Sequence, residues 1–278
     1  MRKLREYLNK PLSFAVFLLI IISTVITALT VVFIIGYIFI KGVPNLSLDL
    51  FSLKYSSSNQ SMLPSIINTV YLTALTLLLA VPIGIFSAIY LAEYSRKNSF
   101  FVKIINIANE TLSGIPSIVY GLFGFLAFVI SKKWGYSLLA GVITLAIMVL
   151  PLIIRTSQEA MLGVDNTFRE ASYGLGAGKL RTVFKIVLPS AMPGIISGII
   201  LAIGRIVGET AALIYTAGTV PEAATKLTSS SRTISVHLYC LLNEGLYTEQ
   251  AYATAVVLIV FVVIINALSN ALAKKIMK

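Results

Sequence analysis

Two ionisable residues, Arg205 and Glu209, lie in an otherwise apolar stretch of this 278-residue chain. On an α-helix they share a stripe about 80° wide with small or hydroxyl-bearing residues. These are Gly194, Gly198, Ala202, Ala212 and Thr216, and the opposite side carries Ile196, Ile200, Ile203, Val207 and Ile214. Inserting an Arg at mid-bilayer costs about 2.5–3.5 kcal/mol, and such charges nearly always face the interior of a helix bundle. The stripe therefore predicts the interior face of a membrane helix, with a role for its charges.

The pair has two interpretations. In the first, the side chains of Arg205 and Glu209 only neutralise each other at an i,i+4 spacing. In the second, Arg205 binds an anion, because its planar fork of donors fits phosphate oxygens. Glu209 would then moderate the cation while no ion is bound, and would accept a hydrogen bond from the protonated oxygen of phosphate. Sulfate lacks that proton, so the second interpretation also predicts selectivity.

Further polar residues flank the apolar runs. Arg155, at the end of one run, is either a cytoplasmic interface anchor or a second cation on an anion path. Ser113 and Ser117 could bring hydroxyl groups to an anion, or could form contacts between helices. Glu110 either marks the interfacial start of a helix or belongs to the same path.

The elements that must position these residues are membrane helices. Hydrophobic residues make up 57% of the chain and charged residues only 12%, about half the charged share of a soluble domain. Apolar runs of 18 or more residues indicate helices that cross a bilayer. We therefore predict an all-α, polytopic membrane bundle of six transmembrane helices with a cytoplasmic coupling helix. The predicted spans are Leu12–Ile40, Ser65–Leu91, Val102–Ile130, Leu138–Ile154, Ala191–Thr219 and Ala251–Ala273.

Two of these spans carry specific expectations. Leu12–Ile40 is much longer than the apolar part of a signal peptide, and no A-x-A cleavage site follows it, so we expect an uncleaved span. Leu138–Ile154 is short, so we expect it to lie deep in the bundle or to lean on its neighbours.

The basic residues follow the predicted topology. Of the 22 Lys and Arg residues, 15 lie at the two termini and in the second and fourth loops, and six lie in the other loops. The richer side should be cytoplasmic, which places both termini inside the plasma or inner membrane. The net charge of +11 forms no single basic face, which favours membrane lipid over nucleic acid as the contact. His237 and Cys240, the single His and Cys, can form neither a metal cluster nor an internal disulfide, and we expect both to be incidental.

A polar loop joins the fourth and fifth spans. It contains Glu170-Ala171-Ser172, then Gly176 after three residues, then Ile186-Val187-Leu188-Pro189 after nine more. Gly176 permits a tight turn that a side chain would block, and Pro189 begins the next span in its first turn. Asp165–Leu180 is predicted to form an amphipathic helix, with Asp165 or Asn166 as its N-cap. Such a helix could alternatively lie flat on the bilayer surface.

This spacing resembles the EAA loop of ATP-binding-cassette (ABC) importer permeases, E-A-A-x3-G-x9-I-x-L-P, with Ser172 as the one departure. The resemblance covers about Met62–Ala273. It implies a permease domain over 62–273, an N-terminal segment with the first span and an external loop over 1–61, and a cytoplasmic tail over 274–278. In that family the loop docks on an ATPase, and a transporter contains two ATPase and two permease subunits. The implied coupling residues here are Glu170, Ala171, Gly176 and Pro189.

The sequence contains no credible nucleotide site. Gly178-Lys179 resembles the end of a phosphate-binding loop, but the first glycine of that motif would fall at Tyr173 and the hydroxyl at Leu180. We therefore expect this chain to bind no cofactor, and ATP and Mg to be bound by the partner ATPase. The chain is accordingly predicted to be a transporter subunit and not an enzyme.

Three further stretches resemble phosphate-importer permeases of the PstA type: Ala202–Ala211, Gly114–Gly124 and Leu150–Ala160. This resemblance implies phosphate as the substrate, a homologous second permease subunit and an extracytoplasmic phosphate-binding protein. Ala212 stands where that family usually has proline, so we expect a straighter fifth span. The residues implied on the ion path are Arg205, Glu209, Arg155, Ser113 and Ser117.

Other functions are open alternatives. A permease of the same kind could carry another oxyanion, such as sulfate or molybdate. An ion-coupled secondary transporter often shows inverted repeats with paired broken helices, which the sequence does not show. A membrane-embedded enzyme would need a nucleophile–base or metal constellation, which one His and one Cys cannot supply.

Overall fold

The computed structural model describes residues 11–95 and 100–276, and no β-strand occurs among them. The α-helices are α1 (Pro11–Gly42), α2 (Leu63–Ile89), α3 (Phe100–Gly114), α4 (Ser117–Gly124), α5 (Leu138–Leu162), α6 (Asn166–Gly174), α7 (Lys179–Thr182), α8 (Leu188–Gly208), α9 (Ala211–Thr216), α10 (Ile234–Glu244) and α11 (Thr248–Ile276). π-Helical turns extend α2 over Tyr90–Tyr94, extend α4 over Phe125–Ser131, and join α7 to α8 over Val183–Val187. Part of the predicted charge asymmetry rests on residues 1–10, 96–99 and 277–278, which lie outside the described residues.

Five helical segments are long and apolar enough to cross a membrane, and one bent pair could form a sixth crossing. The pair joins Val102–Gly114 to Ser117–Ser131 at an angle of 101°. The predicted polytopic all-α bundle is confirmed, but the third span is not one continuous helix. Pro116 explains the break, because proline disfavours the helical conformation of the residue before it.

Helix α5 is the centre of the bundle and packs along both α2 and α8. Its side chains Leu145, Val149 and Ile153 are fully buried in the main hydrophobic core. The prediction of a short fourth span that ends at Ile154 is wrong at its C-terminal end, since helix α5 is 25 residues long and ends at Leu162. The first five of the additional residues, 155–159, are polar, so an apolar run alone could not indicate this extension.

The predicted fifth span, Ala191–Thr219, is divided into two helices. Helix α8 ends at Gly208, Glu209 is extended (φ −71°, ψ 130°), and α9 begins at Ala211. The carboxylate of Glu209 accepts a hydrogen bond from the Ala212 amide at 3.0 Å, which satisfies a free N–H group at the start of α9. The expectation that Ala212, in the absence of proline, leaves this span straight is therefore wrong.

Helix α1 is peripheral. It packs along α11, and no residue of its most apolar 18-residue window is buried. Exposed aliphatic side chains around the whole helix are suited to contact with lipid. The interior of the fold is therefore built by α2, α5, α8 and the half-helices α4 and α9.

Candidate functional site

Arg205 lies in the last turn of α8 and lines a cavity of about 560 Å³. The other polar side chains of this cavity belong to Ser197 on α8 and Asn266 on α11, and its apolar wall includes Leu152 of α5. Arg205 forms no ion pair within the part of the chain that the structure describes. The cavity thus combines an unpaired guanidinium with a carboxamide, and both can donate to an anion. The Ser197 hydroxyl donates to the Pro193 carbonyl at 2.8 Å.

The small residues of the predicted stripe do not line this cavity. A Cβ atom added to Gly198 would collide with the Thr156 side chain, and one added to Gly194 would lie 2.6 Å from the Ala160 Cβ atom. Ala202 is completely buried. These residues let α8 approach α5 closely, while Arg205 faces the cavity beside them.

Glu209 lies apart from the guanidinium of Arg205. Its side chain is buried, with the residue 8% exposed, and its carboxylate caps α9. Its backbone carbonyl accepts a hydrogen bond from the Ser235 hydroxyl at 2.7 Å. The continuous helix that would hold Glu209 one turn beyond Arg205 is absent, and no Arg205–Glu209 ion pair occurs among the described residues.

Arg155 lines a different, smaller cavity of about 210 Å³. Its Nε atom lies 2.9 Å from Glu159 Oε1, and both side chains are about 60% exposed (60% and 63%), so this pair contributes little to stability. Glu110, whose role the sequence left open, lines the same cavity. Arg155 and Arg205 therefore face separate spaces in this conformation.

Neither predicted serine faces the cavity of Arg205. The Ser113 hydroxyl donates to the carbonyl of Glu110 at 2.8 Å, within its own helix. Ser117 begins α4 directly after the break at Pro116. Half-helix α4 packs against half-helix α9, where a Cβ atom on Gly121 would lie 2.8 Å from the Ala212 Cα atom. This close approach brings the two broken helices together.

The polar loop forms a helical hairpin instead of the single helix predicted over Asp165–Leu180. Helix α6 ends at Gly174, Gly176 adopts a left-handed conformation (φ +81°), and α7 begins at Lys179. The predicted turn at Gly176 is confirmed, because a left-handed residue is favourable for glycine and costly for other residues. The predicted N-cap is also confirmed: Asp165 accepts a hydrogen bond from the Thr167 amide at 2.9 Å, and this bond lowers the pKa of Asp165.

The outer side of the hairpin is open. Glu170, Ala171 and Pro189 are exposed, and Leu175 is 90% exposed. A groove of about 380 Å³ runs beside Ala171, Gly176 and Ile186. Ser172, the one departure from the motif, is buried, and its hydroxyl lies 2.8 Å from the Thr182 hydroxyl. This bond connects α6 to α7 and gives the serine a structural role.

The hairpin is fixed to the bundle by a buried ion pair. Arg169 Nη2 lies 2.6 Å from Glu93 Oε1, and the two side chains are 13% and 6% exposed. The same guanidinium donates to the carbonyl oxygens of Met161 and Val164 at 2.8 and 2.7 Å. Lys179 lies over the Tyr94 ring at 4.9 Å. Arg169 therefore links α6 to the ends of both α2 and α5, a role that its sequence position did not indicate.

Sequence reasoning missed a buried group at the N-terminus of α10. Arg232, assigned to an external loop, is 4% exposed, and His237, considered incidental, is 0% exposed. Asn68 of α2 donates to the backbone carbonyl of Arg232 at 3.2 Å. Helix α10, whose N-cap is Thr233, was not predicted from the sequence. The one available signal was that Arg232, a charged residue, directly precedes this N-cap.

Several known proteins are similar to this chain in sequence. Residues 80–278 match the family model described as "Binding-protein-dependent transport system inner membrane component". The chain is 32% identical to the probable ABC transporter permease protein YqgI of Bacillus subtilis (strain 168), with 83% of this chain and 84% of that protein covered. It is 35% identical to the phosphate transport system permease protein PstA of Haemophilus influenzae, with 78% and 77% covered.

The chain is also similar along its whole length to a solved structure. It is a crystal structure of a bacterial ABC transporter involved in the import of the acidic polysaccharide alginate. The TM-score is 0.67 at 18% sequence identity, with 100% of both chains covered. At this identity the likeness shows a shared fold.

Proposed function

Because this chain belongs to the family of inner membrane components of binding-protein-dependent transport systems, we propose that it carries inorganic phosphate across the membrane. The chain is a multi-pass permease subunit of an ABC importer, and thus a transporter component and not an enzyme. The phosphate assignment is supported by the PstA relative at 35% identity, while the YqgI relative is named only as a permease.

The unpaired guanidinium of Arg205 in its cavity is the observation that supports phosphate most directly. A dianion that enters a low-dielectric space needs a compensating charge, and a guanidinium can bind two of its oxygens at once. The carboxamide of Asn266 offers both a donor and an acceptor. Its acceptor oxygen can serve the protonated oxygen of phosphate, the role that the sequence had assigned to Glu209. Arg155, Ser113 and Ser117 would belong to later or earlier positions on the same path.

The energy for transport would come from partner subunits. In this proposal two ATPase subunits bind ATP and Mg and dock on the exposed surface of Glu170, Ala171 and Gly176. Pro189 lies inside the continuous helical segment Lys179–Gly208, so the prediction that it begins the fifth span is wrong. A homologous permease subunit completes the membrane part, and an extracytoplasmic binding protein delivers phosphate. This chain would hold no cofactor of its own.

Competition among oxyanions tests the substrate. We expect ATP-dependent uptake of labelled phosphate by the reconstituted transporter to resist a large excess of sulfate or molybdate and to be abolished by unlabelled phosphate. In Asn266→Leu, which removes the acceptor, discrimination against sulfate should fall by on the order of tenfold. Equal competition by sulfate or molybdate in the native transporter would assign this permease to another oxyanion.

The proposed orientation places both termini and the α6–α7 hairpin in the cytoplasm. In a Cys240→Ala background, a cysteine at exposed Ser57 should react with an impermeant thiol reagent applied to intact cells. The matched control is a cysteine that replaces the exposed residue Leu175. It should react with the same reagent only after the cells are opened. Labelling of Leu175→Cys in intact cells would reverse the orientation.

A further inference from the structure

A second polar group lies around the start of α10 and does not line the cavity of Arg205. We call Tyr55, Ser231, Arg232 and His237 the Arg232 cluster. The guanidinium of Arg232 lies over the Tyr55 ring at 4.8 Å. The Tyr55 ring in turn meets the His237 ring edge-to-face, with 6.4 Å between the centroids. Tyr55 comes from the segment between α1 and α2, whereas the other three residues belong to the start of α10 and the segment before it.

This cluster concentrates unsatisfied polar atoms. Within the described part of the chain, nine buried side-chain nitrogen or oxygen atoms have no hydrogen-bond partner in the protein. Five of the nine belong to three residues of the cluster: Ser231 Oγ, Arg232 Nε and Nη2, and His237 Nδ1 and Nε2. Each such atom costs about 1–3 kcal/mol, and more when it is charged. Protein interiors rarely keep this many unsatisfied groups together without a reason.

The charge of Arg232 is also uncompensated. Both ion pairs found among the described residues lie elsewhere, at Arg155–Glu159 and Arg169–Glu93. A buried cation without a carboxylate partner is strongly unfavourable by itself. Two groups that contact the guanidinium, the Tyr55 ring and the Cys240 thiol, carry no full negative charge. An anion beside the guanidinium would compensate this charge.

The free atoms define the chemistry of that anion. Nε and Nη2 form one edge of the guanidinium and donate two parallel N–H groups, the arrangement that binds an oxyanion in a bidentate manner. Ser231 adds a hydroxyl donor. Burial, and secondarily the charge of Arg232, lowers the pKa of His237 to about 3, so the imidazole is neutral and has a single N–H, which lies near the backbone of Gln60.

We propose that the Arg232 cluster is an oxyanion-binding site, separate from the cavity of Arg205. Its ligand presents at least two oxygens on one atom, as free phosphate does and as a carboxylate side chain of a partner subunit does. The inference requires only an oxyanion here and does not depend on phosphate being the transported substrate.

Tyr55 closes this site. Its hydroxyl donates to Gln60 Oε1 at 2.8 Å, and the Gln60 side-chain amide donates to the Ser57 carbonyl at 3.1 Å. The ring is thus held over the guanidinium by its own loop, and an oxyanion reaches Arg232 when this loop moves. Closure by an aromatic ring limits the rate of entry more than the affinity.

The site is also connected to the break between α8 and α9. Ser235, three residues after Arg232, donates its hydroxyl to the backbone carbonyl of Glu209 at 2.7 Å. The Glu209 carboxylate in turn caps α9, and Arg205 lies four residues before it. A shift of the N-terminus of α10 on oxyanion binding therefore acts directly on the segment that follows Arg205.

Calorimetric titration of the purified transporter with inorganic phosphate tests the proposal. The Arg205→Gln protein should still bind phosphate, whereas Arg205→Gln with Arg232→Gln should bind it on the order of tenfold more weakly or not at all. Lys226→Gln, an exposed charge in the same segment, is the matched control and should change nothing. The effect of Arg205→Gln alone reports on the proposed pathway, and the effect of Arg232→Gln reports on the second site.

A second measurement distinguishes the two sources of the oxyanion. If phosphate binding is insensitive to Arg232→Gln but docking of the purified binding protein is lost, the ligand is a carboxylate of that partner, which also supports the proposal. If phosphate binding and docking of the binding protein are both unchanged in a correctly folded Arg232→Gln transporter, the proposal is wrong. Should Arg232→Gln fail to fold, Tyr55→Leu decides: it should accelerate phosphate or binding-protein association, and native kinetics for both would overturn the inference.

Discussion

Arg205→Lys should reduce ATP-dependent phosphate uptake by on the order of a hundredfold while the transporter still assembles. Lysine keeps the positive charge but loses the planar fork that binds two oxygens, and charged hydrogen bonds of this kind contribute about 1.5–3 kcal/mol each. Because Arg205 lines an open cavity and forms no ion pair in the described chain, its replacement leaves no buried partner unsatisfied. The measurement is initial uptake of labelled phosphate into proteoliposomes at saturating ATP.

The control for this substitution is Lys226→Met, which removes one exposed positive charge outside the cavity. It should leave uptake unchanged. Native uptake by Arg205→Lys would mean that charge alone, without the geometry of the fork, serves the ion.

Arg169→Met should abolish the stimulation of ATP hydrolysis by substrate, while the subunit still inserts into the membrane. The substitution leaves the Glu93 carboxylate buried and unpaired, which costs about 3–5 kcal/mol, and it removes the hydrogen bonds to Met161 and Val164. The α6–α7 hairpin then loses its connection to α2 and α5. The measurement is ATPase activity of the reconstituted transporter with and without the loaded binding protein.

Two variants separate coupling from a general loss of charge. Lys103→Met removes an exposed charge on α3 and should leave stimulation intact. Adding Glu93→Gln to Arg169→Met removes the unpaired carboxylate and should recover part of the stimulation. Full stimulation of ATP hydrolysis in Arg169→Met alone would show that coupling does not need the Arg169–Glu93 ion pair.

The parts of the fold that were predictable are those set by local pattern. Apolar runs located the spans, since a bilayer demands uninterrupted hydrophobic length. The N-cap at Asp165 and the left-handed turn at Gly176 depend only on residues close to them in the sequence.

The parts that were not predictable depend on contacts between distant residues. The α8–α9 break is held by Ser235, which lies 26 residues from Glu209, so the helical periodicity around Arg205 continued past it without a signal. The burial of Arg232 requires Tyr55 from the segment between the first two spans. Arg169 is an ordinary basic residue in the sequence, and its role follows from Glu93, 76 residues away. Contacts between side chains that are distant in the sequence leave no periodic pattern in a single sequence, so they could not be predicted from it.

The central claim is that phosphate passes Arg205, and one measurement tests it most directly. The double variant Arg205→Met with Glu209→Gln removes both charges, while the amide oxygen of glutamine can still cap α9 as the Glu209 carboxylate does. Our account predicts that this variant assembles with its partner subunits and shows no ATP-dependent phosphate uptake. Native uptake by the assembled double variant would contradict the account, since neither charge would then be needed for phosphate transport.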